Sequence, residues 1–185
     1  MTVVVIVVAA VAALLLLFLA LTYNRLVWLR NEAETGWANI DVQLRRRFDL
    51  VPNLVETVKG YAEHERETFE SVTQARAAGQ QAAGPVSAAV ADTLLGGALS
   101  KLLAVSEAYP QLRASENFLK LQEELSDIED KLAAARRYYN QVVYRFNTVQ
   151  QTFPTVIVAR LFRFHEREFF ETDTREAPAV SFAQA

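Results

Sequence analysis

The chain of 185 residues has no cysteine, which excludes disulfides and thiolate-held metal ions outright. Histidine is almost as scarce. Only His64 and His165 are available for acid–base or metal chemistry near neutral pH. A basic surplus is missing too: the formal net charge is −3, whereas a nucleic-acid binder normally carries a positive patch or stripe. The few glycines form no phosphate-cradling loop, since Gly96-Gly97 has neither the lysine nor the preceding strand such a loop needs. A carboxylate-bridged metal pair in a helical bundle requires Glu-x-x-His spacing, so that both ligands leave one helix face. The residues three before His64 and His165 are Tyr61 and Phe162, and that spacing is absent. Glu63-His64 and His165-Glu166 are adjacent and point in different directions. No serine sits in a strained or Gly-rich turn suited to a nucleophile. These gaps predict no catalytic residue, no cofactor and no metal site.

Charge is also missing from one long stretch, Val3 to Leu21, which is rich in Val, Ala and Leu. At about 1.5 Å per residue it spans roughly the ~30 Å hydrocarbon core of a bilayer. A helix apolar on every face has no use on a soluble surface. A cleavable signal peptide would need a basic leader and a small-residue cleavage site; no Lys or Arg precedes the run, and Ala20-Leu21-Thr22 is a poor site. Residues 1–22 therefore read as a transmembrane anchor held in the cell membrane in a single pass. Arg25 and Arg30 follow it, which predicts the N-terminus outside and the bundle and C-terminus cytoplasmic. Tyr23 and Trp28 fall where an interfacial aromatic belt belongs.

The remainder, residues 23–170, reads as an all-α, antiparallel four-helix up-and-down bundle. Leu26, Leu29, Ala33, Trp37, Ile40, Leu44 and Phe48 recur three or four apart, an apolar stripe on a first helix over 23–48. Asp49 as an N-cap and Pro52 in a first turn suggest a new helix over 50–78, although the polar stretch Glu63–Glu67 interrupts its stripe. The Ala/Gly/Gln segment from Ala77 to about Ala88 reads as a connecting loop. A third helix over 90–108 ends at Tyr109-Pro110; within it Gly96-Gly97 weakens the helix or lets a neighbouring backbone approach. The fourth, over 115–153, carries Phe118, Leu121, Leu125, Ile128, Leu132, Ala135, Tyr139, Val142, Phe146, Val149 and Phe153, a heptad pattern. At that length, on the order of 55 Å, an elongated bundle is expected. Alternating helix directions return the chain toward the membrane after Pro154. A short amphipathic segment over 155–170 is expected there, followed by an extended or disordered tail over 171–185.

Specific strings then carry a resemblance. Arg46-Arg47-Phe48-Asp49-Leu50-Val51-Pro52-Asn53-Leu54-Val55 runs on through Tyr61-Ala62. Ala114-Ser115-Glu116-Asn117-Phe118 leads to Leu121-Gln122, and Ala135-Arg136-Arg137-Tyr138-Tyr139-Asn140 to Phe146-Asn147 and Phe153-Pro154. With Tyr23-Asn24-Arg25-Leu26-Val27 before them and Pro178-Ala179-Val180-Ser181-Phe182 after, the chain resembles the LemA family of bacterial and archaeal membrane proteins over nearly its whole length. The resemblance implies an N-terminal anchor and a helical up-and-down bundle. It brings no established activity and no catalytic residues.

Two surfaces are candidates for contact. Arg45, Arg46 and Arg47, with Pro52 and Asn53 beside them, form a possible partner surface at the far end of a first hairpin; they equally suit a helix C-terminus, where cations are favoured. Tyr23, Arg25, Trp28, Arg160, Phe162, Arg163 and Phe164 form a possible membrane surface, since aromatic and basic residues together suit the headgroup boundary. The same aromatics equally suit packing on the base of the bundle. Off-stripe Tyr138 and Tyr144 leave surface for lateral homo-oligomers, and confinement in a membrane raises effective concentration. The expected function is a scaffold, adaptor or self-assembling structural role, with membrane lipid, further copies and a possible membrane-protein partner as contacts. The alternative is lipid-surface binding or membrane remodelling through 155–170.

Overall fold

A computed structural model describes residues 1–171. Among them every regular element is a helix: α1 (Thr2–Lys59), α2 (Arg66–Gln81), α3 (Pro85–Glu107), α4 (Pro110–Arg113), α5 (Glu116–Gln151) and α6 (Thr155–Leu161). The protein is all-α. The tail expected over 171–185 and the string Pro178–Phe182 lie, but for Glu171, outside the described residues.

The chain forms two compact units. One comprises Met1–Leu44 and Asp127–Phe169; the other comprises Arg45–Ser126 together with Phe170. In the first, Leu26, Leu29, Ala33, Ile40 and Leu44 of α1 are buried, as are Ile128, Leu132, Tyr139, Val142 and Phe146 of α5. Those are the predicted stripes. Each large side chain fully withdrawn from water, such as Ile40 or Phe146, contributes roughly 1.5–3 kcal/mol. The C-terminal half of α5 buries a second row as well, Val143, Asn147 and Gln150. At Gly36 the two helices come close, since a Cβ there would lie 3.4 Å from the Tyr139 Cα.

The second unit corrects the expected break at Asp49. Helix α1 runs on through Pro52 to Lys59, and the turn falls at 60–65, where the polar interruption lies. The apolar phase explains why: Leu44, Phe48, Val51, Val55 and Val58 continue at spacings of three and four, and all are buried. An interior proline removes the bond to the carbonyl four residues earlier, here that of Phe48. Helix α2 repairs the loss, because the Arg76 Nε donates to the Phe48 carbonyl at 2.7 Å.

The expected Ala/Gly/Gln loop is mostly helix too. Helix α2 extends to Gln81 and α3 begins at Pro85, leaving a turn whose Gly84 adopts φ 87°. Alanine and glutamine favour helix, and tertiary packing uses the glycine: a Cβ on Gly79 would fall 2.5 Å from the Phe48 ring. Gly96 and Gly97 do not admit a neighbouring backbone. A Cβ at Gly97 would meet nothing within 4 Å, and one at Gly96 would touch only the Arg47 guanidinium at 3.7 Å. Helices α2 and α3 pack on each other, with Val72, Leu95, Leu99 and Leu102 fully buried.

Candidate functional site

Helix α6 and the chain after it shape the most distinctive region of the first unit. Helix α6 is only Thr155–Leu161, so the expected segment over 155–170 is helical for less than half its length. It ends in a Schellman cap: the Phe164 N–H reaches the Ala159 carbonyl at 2.9 Å and the Arg163 N–H that of Arg160 at 3.2 Å. Arg163 takes φ 57°, the left-handed conformation that usually falls to glycine. The cap turns Phe164 inward onto a cluster of Leu26, Leu29, Phe146, Val158 and Ala159, which Leu19 and Val149 also join.

Rings tie this end to the start of α1's exposed polar portion. Tyr23 packs against Phe162 with centroids 4.7 Å apart and against Phe164 at 5.9 Å. The Arg30 guanidinium lies 5.9 Å from the Phe164 centroid, within cation–π range. The chain beyond is clamped. Asn147 exchanges two hydrogen bonds with the backbone of Arg167, each 2.9 Å, donating from Nδ2 and accepting at Oδ1. Arg167 pairs with Glu34 at 2.6 Å, the Tyr139 hydroxyl donates to the Glu168 carbonyl at 2.8 Å, and the Gln151 amide donates to Glu166 at 2.7 Å. Two phenols here have raised pKa values. For Tyr138 the main cause is its hydrogen bond to the Glu32 carboxylate; for Tyr139 it is burial.

The residues expected to meet the membrane thus divide. Phe164 is half-buried among protein side chains, while Tyr23, Arg25, Trp28, Arg160, Phe162 and Arg163 are exposed. So are the apolar Phe153, Ile157 and Leu161. A cleft of about 410 Å³ opens beside α6, with Gln150, Arg160, Phe164, His165 and Glu166 among its walls.

The basic run divides as well. Arg45 and Arg46 are exposed, as is Asn53, and Pro52 is half-buried in the body of α1 rather than in a turn. Arg47 is not available to a partner. Its side chain is 7% exposed and forms a salt bridge of 2.5 Å with Asp92 of α3, itself 4% exposed. This is a correction to the expected partner surface: a helix that continues to Lys59 carries Arg47 on its buried face. Sequence reasoning missed Asp92, Arg76, Gly79, Asn147 and Gln150. Asp92 left a signal, since it is the lone charge between Pro85 and Ser100.

Among the described residues no cluster of three or more His, Asp or Glu could hold a metal ion. What the geometry defines is an all-α protein whose leading helix has a stretch of mean hydropathy 3.4 with none of it buried, backed by two internally clamped helical units. It belongs to the LemA family, whose model matches residues 36–182, in agreement with the resemblance read from the sequence strings. Similar proteins include the magnetosome protein MamQ of Magnetospirillum gryphiswaldense, 24% identical over 190 residues that cover 88% of this chain and 70% of the relative. MamQ 1 of Paramagnetospirillum magneticum is 26% identical, covering 83% and 66%. Protein LemA of Metamycoplasma hominis is 29% identical over 165 residues, covering 83% and 74%. The chain spans roughly two thirds to three quarters of these relatives' lengths.

Proposed function

We propose that the chain is a single-pass, membrane-anchored helical scaffold or adaptor that performs no catalysis and gathers into homo-oligomers, with its bundle in the cytoplasm. One observation carries this reading. The apolar run, none of whose most apolar window is buried, and the buried stripe of the helical units belong to one unbroken helix, α1, so anchor and scaffold are a single element. Helix α3 is also long and apolar enough to cross a membrane, but 44% of its most apolar window is buried and it carries Asp92, paired with Arg47 of α1, which suits a core helix. Exposed Val42, Leu94, Leu119 and Tyr144 offer surface for self-association. Mass measurement of the full-length protein in mild detergent should give a multiple of the chain mass; a monomer would remove the assembly part. Single cysteines at positions 1 and 185 test orientation, and labelling of position 185 from outside intact cells would overturn the cytoplasmic assignment.

A second reading, lipid-surface binding through residues 155–170, is favoured by the exposure of Phe153, Ile157, Leu161 and Phe162 beside Tyr23, two residues past the apolar run. Because the native chain has no thiol, a spin label can be placed at position 157 or 161 of the reconstituted protein. It should be open to dissolved oxygen and shielded from an aqueous nickel chelate. A label as open to the chelate as one at exposed position 141 eliminates the lipid contact.

A further inference from the structure

Helix α6 reaches past the end of the apolar run. The run closes at Leu21, yet Leu19 packs against the cluster of Leu26, Leu29, Phe146, Val158 and Ala159. Leu26 stands two helical turns, about 10 Å, further along α1, and Leu29 further still. Phe146 is level with Leu29, because α5 runs antiparallel to α1 with Tyr139 at Gly36. The contact with Leu19 therefore falls to the α6 pair, Val158 and Ala159. Thr22, just past the run, is only 7% exposed, and the Phe162 ring packs on Tyr23. Protein thus accompanies α1 into the last turn of the run, whereas every residue before Leu19 is exposed. The outer side of α6 is apolar as well. Ile157 and Leu161, four apart on one face, are 58% and 66% exposed, with Arg160 and Arg163 beside them for the headgroup boundary. Continuity with the run selects the occupant of that face: at the level of Leu19 it meets the acyl chains that the run itself meets.

We propose that α6 is a wedge in one leaflet, and that it makes the anchored protein select membrane whose bundle-side leaflet is convex. A second helix, about 10 Å across with its side chains, enlarges the protein's cross-section in that leaflet alone. The opposite leaflet meets only α1. Extra volume in one leaflet is accommodated best where that leaflet is already expanded, so an insertion of this kind is sensitive to curvature. The inference rests on the second reading above, that residues 155–170 lie at the lipid surface, and adds the shape of membrane that this contact selects.

The test uses the full-length protein with one fluorophore on a cysteine at exposed position 141, reconstituted into giant vesicles of phosphatidylcholine and phosphatidylglycerol. A narrow tube is pulled from each vesicle, and an aqueous quencher reports which way the bundle faces. With the bundle outside, protein density relative to a lipid dye should be higher on the tube than on the vesicle; with the bundle inside, it should be lower. Ile157→Asn with Leu161→Asn removes the apolar face without touching buried Val158 and Ala159, and should bring tube and vesicle to equal density. Val42→Asn with Tyr144→Asn, a matched change on the exposed bundle surface, should leave the sorting as it was. Equal densities in the unaltered protein, sorting of the opposite sign, or sorting that survives the α6 pair overturns the proposal. A fall in detergent mass caused by the α6 pair assigns that face to a second copy and overturns it too. The spin-label experiment separates the failures: a label at position 157 shielded from the chelate, together with equal densities, sinks this inference alone.

Discussion

Replacing Asp92 with alanine takes a buried carboxylate away from the Arg47 guanidinium inside the second unit. The pair is close, 2.5 Å, and both side chains are more than nine-tenths buried. Losing one member of such a pair costs about 3–5 kcal/mol, because the remaining charge keeps its desolvation penalty and loses the compensating attraction. For a chain of this size that corresponds to a fall in melting temperature of roughly 10 °C. The double variant Arg47→Met with Asp92→Leu removes both charges and keeps the volume, so it should regain most or all of the stability. Thermal unfolding of the full-length protein in detergent micelles, followed by far-ultraviolet circular dichroism, measures the three proteins side by side. Amide exchange in α3 locates the effect. A loss below about 1 kcal/mol for Asp92→Ala, as expected of a solvent-screened pair, would refute the reasoning. A double variant as damaged as the single one would refute it equally.

Other perturbations follow from the same unit and its neighbour. Arg76→Ala should cost about 1–3 kcal/mol by orphaning the Phe48 carbonyl, and the loss should shrink when Pro52→Ala restores a backbone N–H four residues along; equal losses in both backgrounds would rule out the repair. Gly79→Ala should cost about 1–3 kcal/mol through collision with the Phe48 ring, whereas Gly97→Ala, with open space around it, should be neutral or stabilising by up to about 1 kcal/mol. Denaturant titrations of the two glycine variants compare them directly. For Tyr139, burial raises the pKa above the ordinary 10.0, so the folded state keeps the proton to higher pH than the unfolded chain. Its contribution is complete below that ordinary value and is lost as the pH climbs through the raised one. Tyr139→Phe should therefore flatten the alkaline limb of the stability–pH curve, and an unchanged limb would show that another group sets it.

Much of the architecture was legible in periodicity. The apolar run, the stripe from Leu26 to Phe48 and the heptads of α5 from Phe118 to Phe146 all mark buried or membrane-competent faces, because burial at a spacing of three and four is a local pattern. Phe153, the last of that series, is 77% exposed, past the end of the helix. The misplaced break at Asp49 has a different origin. Pro52 reads locally as a helix start, and its compensation comes from Arg76, whose role depends on a contact between distant segments. The apolar phase through Val51, Val55 and Val58 carried the opposite message and was the better guide. Arg47 beside Arg45 and Arg46 read as surface charge because its carboxylate lies 45 residues away. The Asn147 clamp and the unpaired Gln150 oxygen were hidden for the same reason: a polar residue beside a hydrophobic stripe announces neither its burial nor its partner.

The Arg76 donor also bears on biosynthesis. The Phe48 carbonyl receives its hydrogen bond from a side chain 28 residues further along, so α1 cannot complete its backbone bonding at Pro52 while it is the only helix made. Until α2 is made and docks, that carbonyl has only water as a donor. Satisfaction of this backbone group within the protein therefore depends on tertiary structure. A chain halted before residue 76 keeps its apolar leader and lacks the group that satisfies the Phe48 carbonyl.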